Sequence, residues 1–286
     1  MSSVKSTFPR SPWRLIKTSP APGAWNMALD EALLESMTAP QALPVLRLYA
    51  WEPPCLSLGI AQPVADVDRE ALQQRGWELV RRPTGGRAIL HTDELTYSVI
   101  GPQTDPRLAG GVLESYRRLS QALLEALHRL QVPARSEAEP IMPASADPKG
   151  PVCFEVPSNY EITAYGKKLI GSAQARRKEG VLQHGSLPLI GDLRRITQVL
   201  RFDPINEEDI PLRDIAAERL LERATTVEAC LGYPVTWETA AQAFMTAFET
   251  VLNLELIPSE PTAQELRRTD ELVHQKYSHP SWTERV

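Results

Sequence analysis

The stretch of residues 80–99 constrains the fold more than any other part of the chain. Apolar residues lead into it, and Leu95 and Tyr97 alternate with polar neighbours near its end, so the pattern predicts a strand on each side. Between the strands, Pro83 fixes one backbone angle, and Gly85–Gly86 allows conformations that a side chain would forbid. The stretch therefore predicts a hairpin whose turn lets another group approach the main chain closely.

Cationic side chains crowd this turn, where Arg81, Arg82, Arg87 and His91 all lie in it or beside it. Such a turn is suited to receive an anionic or carbonyl-bearing group. The alternative is an ordinary hairpin with solvated arginines, which would be the better interpretation of an isolated Gly-Gly pair.

Two helices are predicted from apolar periodicity. Apolar residues recur at threes and fours over residues 112–130, a spacing typical of a helix with one buried face. A second apolar stripe follows Asn26 and predicts a helix with Asn26 as its N-cap and with Asp30 and Glu31 in its first turns.

Three strands are predicted in the second half of the chain. Residues 160–164, 169–174 and 181–189 have the composition of strands, and a tight turn at 165–167 joins the first two. A central antiparallel sheet is the economical outcome. The proline-rich residues 133–151 predict a loop.

The expected fold class is α+β, with a mainly antiparallel central sheet flanked by helices. Residues 1–205 are expected to form the main domain. Residues 206–286 are helical by periodicity and are expected to form a C-terminal extension packed on that domain.

Composition excludes several classes of function. The net charge of −5 disfavours a nucleic-acid partner. The three cysteines are too widely spaced for a metal-binding pair or a disulfide framework, which suits a reducing cytoplasm. The first 25 residues lack the apolar core of a signal peptide, and no apolar run approaches the roughly 18 residues of a membrane helix. The chain is therefore expected to be soluble, cytoplasmic and without a membrane partner.

One cysteine lies where a nucleophile would be displayed. Cys153 follows the proline-rich loop and precedes a predicted strand. A thiol attacks a thioester efficiently, provided that a nearby cation keeps it as the thiolate. Lys168 would supply that cation, because it opens the strand predicted to pair with the one after Cys153. Its ammonium would also stabilise charge on a carbonyl oxygen.

The residues alone leave a plainer interpretation open for each of these groups. Cys153 would be an inert thiol, and Lys167 and Lys168 would be solvated residues of a hairpin. His184 would be a structural histidine rather than a base. The apolar surroundings of the other two cysteines predict that both are buried.

Three motifs carry a family resemblance. They are Arg-Arg-Pro-Thr-Gly-Gly-Arg-Ala-x-Leu-His at 81–91, Cys-Phe-x-x-Pro-Ser-x-Tyr-Glu-Ile at 153–162, and Gly-x-Lys-x-x-Gly-Ser-Ala-Gln with Gln-His-Gly-Ser-Leu at 166–187. In order and spacing they resemble the cysteine-dependent octanoyl-[acyl carrier protein]:protein N-octanoyltransferases (LipM type) of the biotin/lipoate A/B protein ligase superfamily. The resemblance extends over roughly residues 24–190.

The resemblance implies an acyltransferase whose catalytic domain is residues 1–205. Cys153 would carry an octanoyl group taken from octanoyl-acyl carrier protein, and Lys168 would contact the acyl carbonyl. The acceptor would be a lysine of a lipoyl-carrier protein, such as the glycine-cleavage H protein or a dehydrogenase lipoyl domain. No cofactor and no metal are implied. The implied substrate-binding residues are Arg82, Thr84, Gly85, Gly86, Arg87, His91, Gly171, Ser172, Ala173 and His184.

Two departures from the family pattern bear on these expectations. Many of the related ligases have a third glycine where this chain has Arg87, which leaves less room for phosphates and favours transfer over ATP-dependent ligation. The family often has Asp where this chain has Thr92, which bears on the role of His91.

Three other functions stay open at this point. The first is a lipoate–protein ligase that uses ATP and Mg²⁺. The second is an amidotransferase that moves octanoyl groups between lipoyl proteins. The third is a paralogue that binds an acyl carrier without turnover.

Overall fold

The structure is a computed structural model that describes residues 7–137, 161–202 and 212–286. Its strands are β1 Ser11–Lys17, β2 Val45–Tyr49, β3 Cys55–Leu58, β4 Glu78–Arg81, β5 Ile89–His91, β6 Glu94–Gly101, β7 Ala134–Glu137, β8 Glu161–Ala164, β9 Lys167–Arg177, β10 Gly180–Pro188 and β11 Leu254–Pro258. Its α-helices are α1 Gly23–Ser36, α2 Arg69–Gln74, α3 Val112–Arg129, α4 Leu212–Arg223, α5 Val227–Leu231, α6 Trp237–Leu252, α7 Ala263–Leu272 and α8 Pro280–Thr283.

An eight-stranded sheet organises the described residues, with the strand order β11-β1-β2-β6-β10-β9-β8-β7. Strand β1 pairs parallel with both β11 and β2, and every other neighbouring pair in this sheet is antiparallel. The predicted α+β class with a mainly antiparallel sheet is therefore confirmed. The hairpin of β8 and β9 is also as predicted, because Tyr165 and Gly166 both have the positive φ of a tight turn.

The stretch 80–99 does not form the single hairpin that its pattern predicts. Strand β4 pairs parallel with β3, and β5 pairs antiparallel with the other edge of β3, in a separate three-stranded sheet. Strand β6 lies in the large sheet instead. The loop 82–88 therefore crosses the end of β3, and we call it the glycine loop.

Helices cover both faces of the large sheet. On one face α3 and α6 pack through apolar residues such as Leu123 and Phe244 onto Tyr97 and Val99 of β6. On the other face α1 packs through residues such as Leu33. The helix predicted at 112–130 is confirmed, since its apolar spacing matches one buried face.

Helix α1 begins earlier than predicted, at Gly23 after Pro22, so Asn26 is not its N-cap. The amide of Asn26 is buried and donates instead to the carbonyl oxygens of Ala21 and Ala50. Asp30 consequently lies in the middle of the helix, where it faces the sheet. The sequence pattern places a polar residue at this position but does not show which groups it meets.

Three strands were not predicted from the sequence, and the first of them is β5, which directly follows the glycine loop within the stretch 80–99. Strand β7 lies within residues that the prolines predicted to be loop, and it pairs with β8. Strand β11 lies within the extension predicted to be helical, and it joins the edge of the large sheet beside β1. Its partner is almost the whole chain away in sequence, so local periodicity could not reveal it. The proposal of a domain boundary between residues 205 and 206 stays a prediction.

Among the described residues, no helix is both long and apolar enough to cross a membrane.

Candidate active site

A pocket lies between the glycine loop and strands β9 and β10 of the large sheet. The residues that line it are Met27, Tyr49, Trp51, Ser57, Arg82, Gly85, Gly86, Ile89, His91, Thr96, Gly171, Ser172, Ala173, His184, Gly185 and Ser186.

Arg82 shapes the glycine loop from within. Its guanidinium donates to the carbonyl oxygens of Gly85, at 2.8 and 3.2 Å, and of Arg87, at 2.7 Å. It also donates to the carbonyl and hydroxyl oxygens of Ser57 at 3.0 and 3.1 Å. Arg82 is buried. The side chain thus ties the loop to strand β3 instead of facing solvent.

The glycine loop also depends on a close backbone approach. A Cβ atom on Gly59 would lie 1.9 Å from the carbonyl oxygen of Gly86, so only glycine fits under the loop at that point. Gly86 itself has φ +93°, a conformation that L-residues with a side chain rarely adopt. The sequence pattern predicted a role for Gly86 but not for Gly59, because Gly59 follows β3 and meets Gly86 only in the folded chain.

His91 belongs to a chain of hydrogen bonds at one wall of the pocket. Its Nδ1 lies 2.7 Å from Oε1 of Glu94, and its Nε2 lies 2.7 Å from Oγ of Ser57. The hydroxyls of Thr96 and Ser186 donate to the same Glu94 oxygen at 2.5 and 2.9 Å. These donors lower the pKa of Glu94, although burial alone would raise it. The ionised Glu94 oxygen can only accept, so the Nδ1 proton of His91 lies in the bond to Glu94.

Trp51 completes this wall. Its ring stacks on His91 with centroids 3.9 Å apart and an interplanar angle of 10°. Its Nε1 donates to the Thr96 hydroxyl at 2.8 Å. The stack closes one side of the pocket with a flat, largely apolar surface.

His184 forms a second chain on strand β10. Its Nε2 lies 2.7 Å from Oγ1 of Thr84 in the glycine loop, and its Nδ1 lies 3.5 Å from Oδ2 of Asp30 on α1. Burial lowers the pKa of His184 below its usual 6.5, so the ring is neutral at neutral pH. The neutral ring accepts the Thr84 hydroxyl proton at Nε2 and directs its Nδ1 proton toward Asp30.

Asp30 holds this second chain in place. Burial would raise the pKa of its carboxyl, but the Arg47 guanidinium, 2.8 Å away, and His184 lower it. The hydroxyls of Ser98 and Tyr49 donate to it at 2.6 and 3.1 Å. Asp30 is thus an ionised, fully buried carboxylate that joins helix α1 to strands β2, β6 and β10.

Strand β9 supplies the opposite wall through Gly171, Ser172 and Ala173, and β10 adds Gly185 beside them. The Ser172 hydroxyl is hydrogen-bonded to the Tyr97 hydroxyl at 2.8 Å. A Cβ atom on Gly185 would lie 2.7 Å from the Tyr97 ring and 2.6 Å from Ser172 Oγ. Because Gly185 has no side chain, the Tyr97 ring can pack directly against strand β10 at this position.

Lys168 does not line this pocket in the structure. Its ammonium is buried and lies 3.0 Å from Oε1 of Glu161 on the paired strand β8. The ammonium of Lys167 reaches a different partner, the carbonyl oxygen of Leu221 on α4, at 2.5 Å. The two lysines thus contact different elements, as alternation along a strand predicts. Cys153 lies outside the described residues.

The other two cysteines are poor candidates for a nucleophile. Cys55 is fully buried, and its burial with the nearby charges of Glu78 and Glu94 raises its pKa well above the usual value. Cys230 is partly buried rather than buried as predicted, and desolvation raises its pKa as well. A raised pKa keeps a thiol protonated and unreactive at neutral pH.

Most of the predicted substrate-binding residues come together here. Arg82, Gly85, Gly86, His91, Gly171, Ser172, Ala173 and His184 line the pocket, and Thr84 lies behind it, bonded to His184. Arg87 is not among the lining residues, although its carbonyl oxygen anchors Arg82. Arg81 points away from the pocket and bonds to carbonyl oxygens elsewhere.

Sequence reasoning missed Asp30, Ser57, Glu94 and Trp51 as parts of the site. Glu94 carried a usable signal, since it follows His91 by three residues within the stretch 80–99 that already predicted a site. Within residues 7–137, 161–202 and 212–286, no cluster of three or more His, Cys, Asp or Glu side chains could hold a metal ion.

Residues 22–249 match the lipoyl protein ligase A/B catalytic domain family. The chain belongs to this family. It is 40% identical over 276 residues to the octanoyltransferase LipM of Symbiobacterium thermophilum, a match that covers 96% of this chain and 98% of that protein. It is 41% identical over 277 residues to the octanoyltransferase LipM of Kyrpidia tusciae, with the same coverage.

Solved structures of the family share this fold. The bipartite lipoate protein ligase of Thermoplasma acidophilum superimposes with a TM-score of 0.78 over 96% of both chains, at 24% identity. A lipoate-protein ligase A bound with ATP superimposes with a TM-score of 0.76 over 96% of this chain and 98% of that one, at 25% identity. The predicted family and fold class are therefore confirmed.

The buried, neutral His184 predicts a specific dependence of stability on pH. Its folded pKa lies below 6.5, so the unfolded chain binds a proton that the folded protein does not in the interval below 6.5. This contribution to the free energy of unfolding is present above pH 6.5 and is lost as the pH falls toward the folded pKa. His184→Gln, which cannot be protonated, should show a smaller loss.

Urea unfolding at about pH 7.5 and about pH 5.5 measures this difference. The exposed His274 provides the control, since His274→Gln should follow the wild type. Equal pH dependence of the wild type and His184→Gln would contradict the assignment of a buried neutral ring.

Proposed function

We propose that the protein is an octanoyltransferase that takes an octanoyl group from octanoyl-acyl carrier protein and attaches it to a lysine of a lipoyl-carrier protein. Cys153 carries the group as a thioester between the two steps. The acceptor is a protein such as the glycine-cleavage H protein or a dehydrogenase lipoyl domain. Membership of a family that modifies lipoyl proteins, with octanoyltransferases among its similar members, supports this proposal.

One observation about the pocket wall carries the proposal. The polar side chains that line it are already hydrogen-bonded within the protein: Ser57 to His91, Thr96 and Ser186 to Glu94, Ser172 to Tyr97, and His184 to Thr84. A ligand that lacks polar groups can lie against such a wall without leaving any of them unpaired. An alkyl chain is therefore the ligand that this pocket accepts at least cost.

The chemistry consists of two balanced acyl transfers. The Cys153 thiolate attacks the carbonyl carbon of the donor thioester, and the carrier sulfur leaves as a thiolate that then takes up a proton. The neutral amine of the acceptor lysine then attacks the octanoyl thioester and loses a proton. The amide forms, and Cys153 leaves as the thiolate. Neither step needs a nucleotide, because each begins from a thioester.

Three features of the described residues support these roles. Both described cysteines have raised pKa values, which leaves Cys153 as the candidate thiolate. Strand β8 begins at Glu161, eight positions after Cys153, and pairs with the strand that carries Lys168. The buried Lys168 ammonium, which lies outside the pocket and 3.0 Å from Glu161, is the cation proposed to stabilise the oxyanion that forms in each step.

The competing candidate is an ATP-dependent lipoate–protein ligase. The similarity of the fold to a lipoate-protein ligase A bound with ATP favours this candidate. Arg87, at the position where many ligases have a third glycine, argues against it. The transferase is acylated by octanoyl-acyl carrier protein without ATP, whereas the ligase needs ATP and a free acid. One experiment therefore distinguishes the two functions.

Mixing the protein with octanoyl-acyl carrier protein in the absence of ATP should give an enzyme adduct with the mass of one octanoyl group. Mass spectrometry detects the adduct, and hydroxylamine should remove it, because thioesters react with hydroxylamine. Addition of an apo lipoyl-carrier protein should discharge the adduct and form an amide. Cys153→Ala should form no adduct.

Cys55→Ala and Cys230→Ala are the matched controls and should both load normally. Transfer that survives Cys153→Ala would contradict the thioester mechanism. If acylation of the protein requires ATP and free octanoic or lipoic acid, the protein is a ligase and the transferase proposal is wrong.

Lys168→Ala should slow the acylation of Cys153 by on the order of 10²–10³, because it removes both a cation near the thiolate and a charge near the oxyanion. Single-turnover kinetics with octanoyl-acyl carrier protein measures this rate. Lys167→Ala is the neighbouring control and should change the rate little, since its ammonium bonds to α4. An equal loss in both variants would show that the role of Lys168 is wrong.

A further inference from the structure

Residues 273–286, which we call the closing segment, contact Glu31 and Arg81, and each of these adjoins in the chain a residue that lines or supports the pocket. Glu31 follows Asp30, which orients His184, and Arg81 precedes Arg82, which shapes the glycine loop. Neither Glu31 nor Arg81 lines the pocket. The closing segment thus contacts the chain neighbours of Asp30, which supports the pocket through His184, and of Arg82, which lines it.

Arg81 is the stronger of the two links. Its guanidinium is fully buried and donates to the carbonyl oxygen of Thr283 in the closing segment at 2.8 and 3.0 Å. The same guanidinium donates to the carbonyl oxygens of Gly59 and Gln62 at 2.8 and 2.6 Å. In the other direction, Nε1 of Trp282 donates to the backbone carbonyl of Arg81 at 2.8 Å.

The hydrogen bond from Arg81 to the carbonyl oxygen of Gly59 connects the closing segment to the glycine loop. The α-carbon of Gly59 lies directly beneath the carbonyl of Gly86, so closely that a Cβ atom would overlap it. The next amide, of Ile60, donates to the carbonyl oxygen of Thr84 at 2.8 Å. A displacement of Arg81 would therefore be transmitted to the backbone that closes the pocket.

Glu31 ties the closing segment to helix α1. Its buried carboxylate accepts hydrogen bonds from the ammonium of Lys276, at 2.6 and 2.8 Å, and from the hydroxyl of Tyr277. Lys276 Nζ also lies 4.1 Å from the centroid of the Trp282 ring, and Tyr277 meets that ring edge to face. Trp282 is thus the residue through which the two links meet.

We propose that Trp282 and Arg81 are positioning residues for acyl transfer, and that the closing segment holds the glycine loop over the acyl pocket. Neither residue touches the reacting atoms. The part of the proposal that concerns acyl transfer rests on the proposed function. The part that concerns the loop rests on the contacts alone.

The alternative is that the closing segment only adds stability to the whole fold. The two roles differ in where the protein loosens when the contact is removed. A positioning role confines the change to the backbone at 59–62 and 82–88. A purely structural role spreads it to the central strands β6 and β10 or leaves the loop unchanged.

Hydrogen–deuterium exchange of the full chain without any substrate tests this difference. Trp282→Ala should speed the exchange of amides in 59–62 and 82–88 by at least about tenfold, since it removes the bond to Arg81 and the ring that Lys276 contacts. Exchange in β6 and β10 should change much less. His274→Ala, an exposed substitution in the same segment, is the control.

A second variant covers the case in which Trp282→Ala does not fold. Trp282→Phe keeps an aromatic ring against Tyr277 and Lys276 but loses the donor to the Arg81 carbonyl. It should speed loop exchange by a smaller factor in the same peptides. Unchanged loop exchange in a folded variant, or an equal rise in β6 and β10, would overturn the proposal.

Steady-state transfer assays on the same variants show whether the loop matters for acyl transfer. Trp282→Phe should raise KM for octanoyl-acyl carrier protein more than it lowers kcat, because a looser loop weakens acyl binding before chemistry. If loop exchange rises but KM does not, the closing segment holds the loop without positioning the substrate. If the wild type shows no transfer, the proposed function fails and the exchange result still decides the role of the closing segment.

Discussion

The ion pair between Asp30 and Arg47 is the interaction on which the pocket depends most. Both side chains are fully buried and 2.8 Å apart, and they join helix α1 to strand β2. A buried pair of this kind adds little net stability compared with apolar residues, but loss of one partner costs about 3–5 kcal/mol. Its effect is therefore geometric. It fixes the position of a carboxylate in the core, and that carboxylate in turn orients His184 and, through His184, the hydroxyl of Thr84 in the glycine loop.

The fold could be predicted from sequence where local signals agree with the tertiary contacts. Helix α3 shows its buried face in its periodicity, a recognisable turn separates β8 from β9, and β10 has the composition of a strand, so each was found. Strand β11 was not, because its partner β1 lies at the other end of the chain. The glycine loop was found as a turn but placed in the wrong connection. The predicted hairpin joined the strand before the loop to the strand at 95–99, whereas β4 pairs with β3 and β6 lies in the large sheet.

The site could be predicted in composition but not in its supporting contacts. The family motifs identified the residues on the pocket wall, including Gly86, His91 and His184. They did not identify what holds those residues, because Asp30 and Glu94 act through hydrogen bonds to partners on other elements. Asp30 looks like an ordinary helix carboxylate, and its burial next to Arg47 follows from the tertiary fold. The arginines were expected to receive a ligand charge, whereas Arg82 bonds to the loop itself.

The central claim is that an octanoyl chain lies beneath the glycine loop, between it and strands β9 and β10. A crystal structure of the protein after reaction with octanoyl-acyl carrier protein tests this most directly. The account predicts density that continues from Cys153 into the pocket, passes beneath Gly85–Gly86 and ends against the stacked rings of Trp51 and His91. An octanoyl chain bound elsewhere, such as in the groove between α1 and α7, with the pocket empty, would contradict the account.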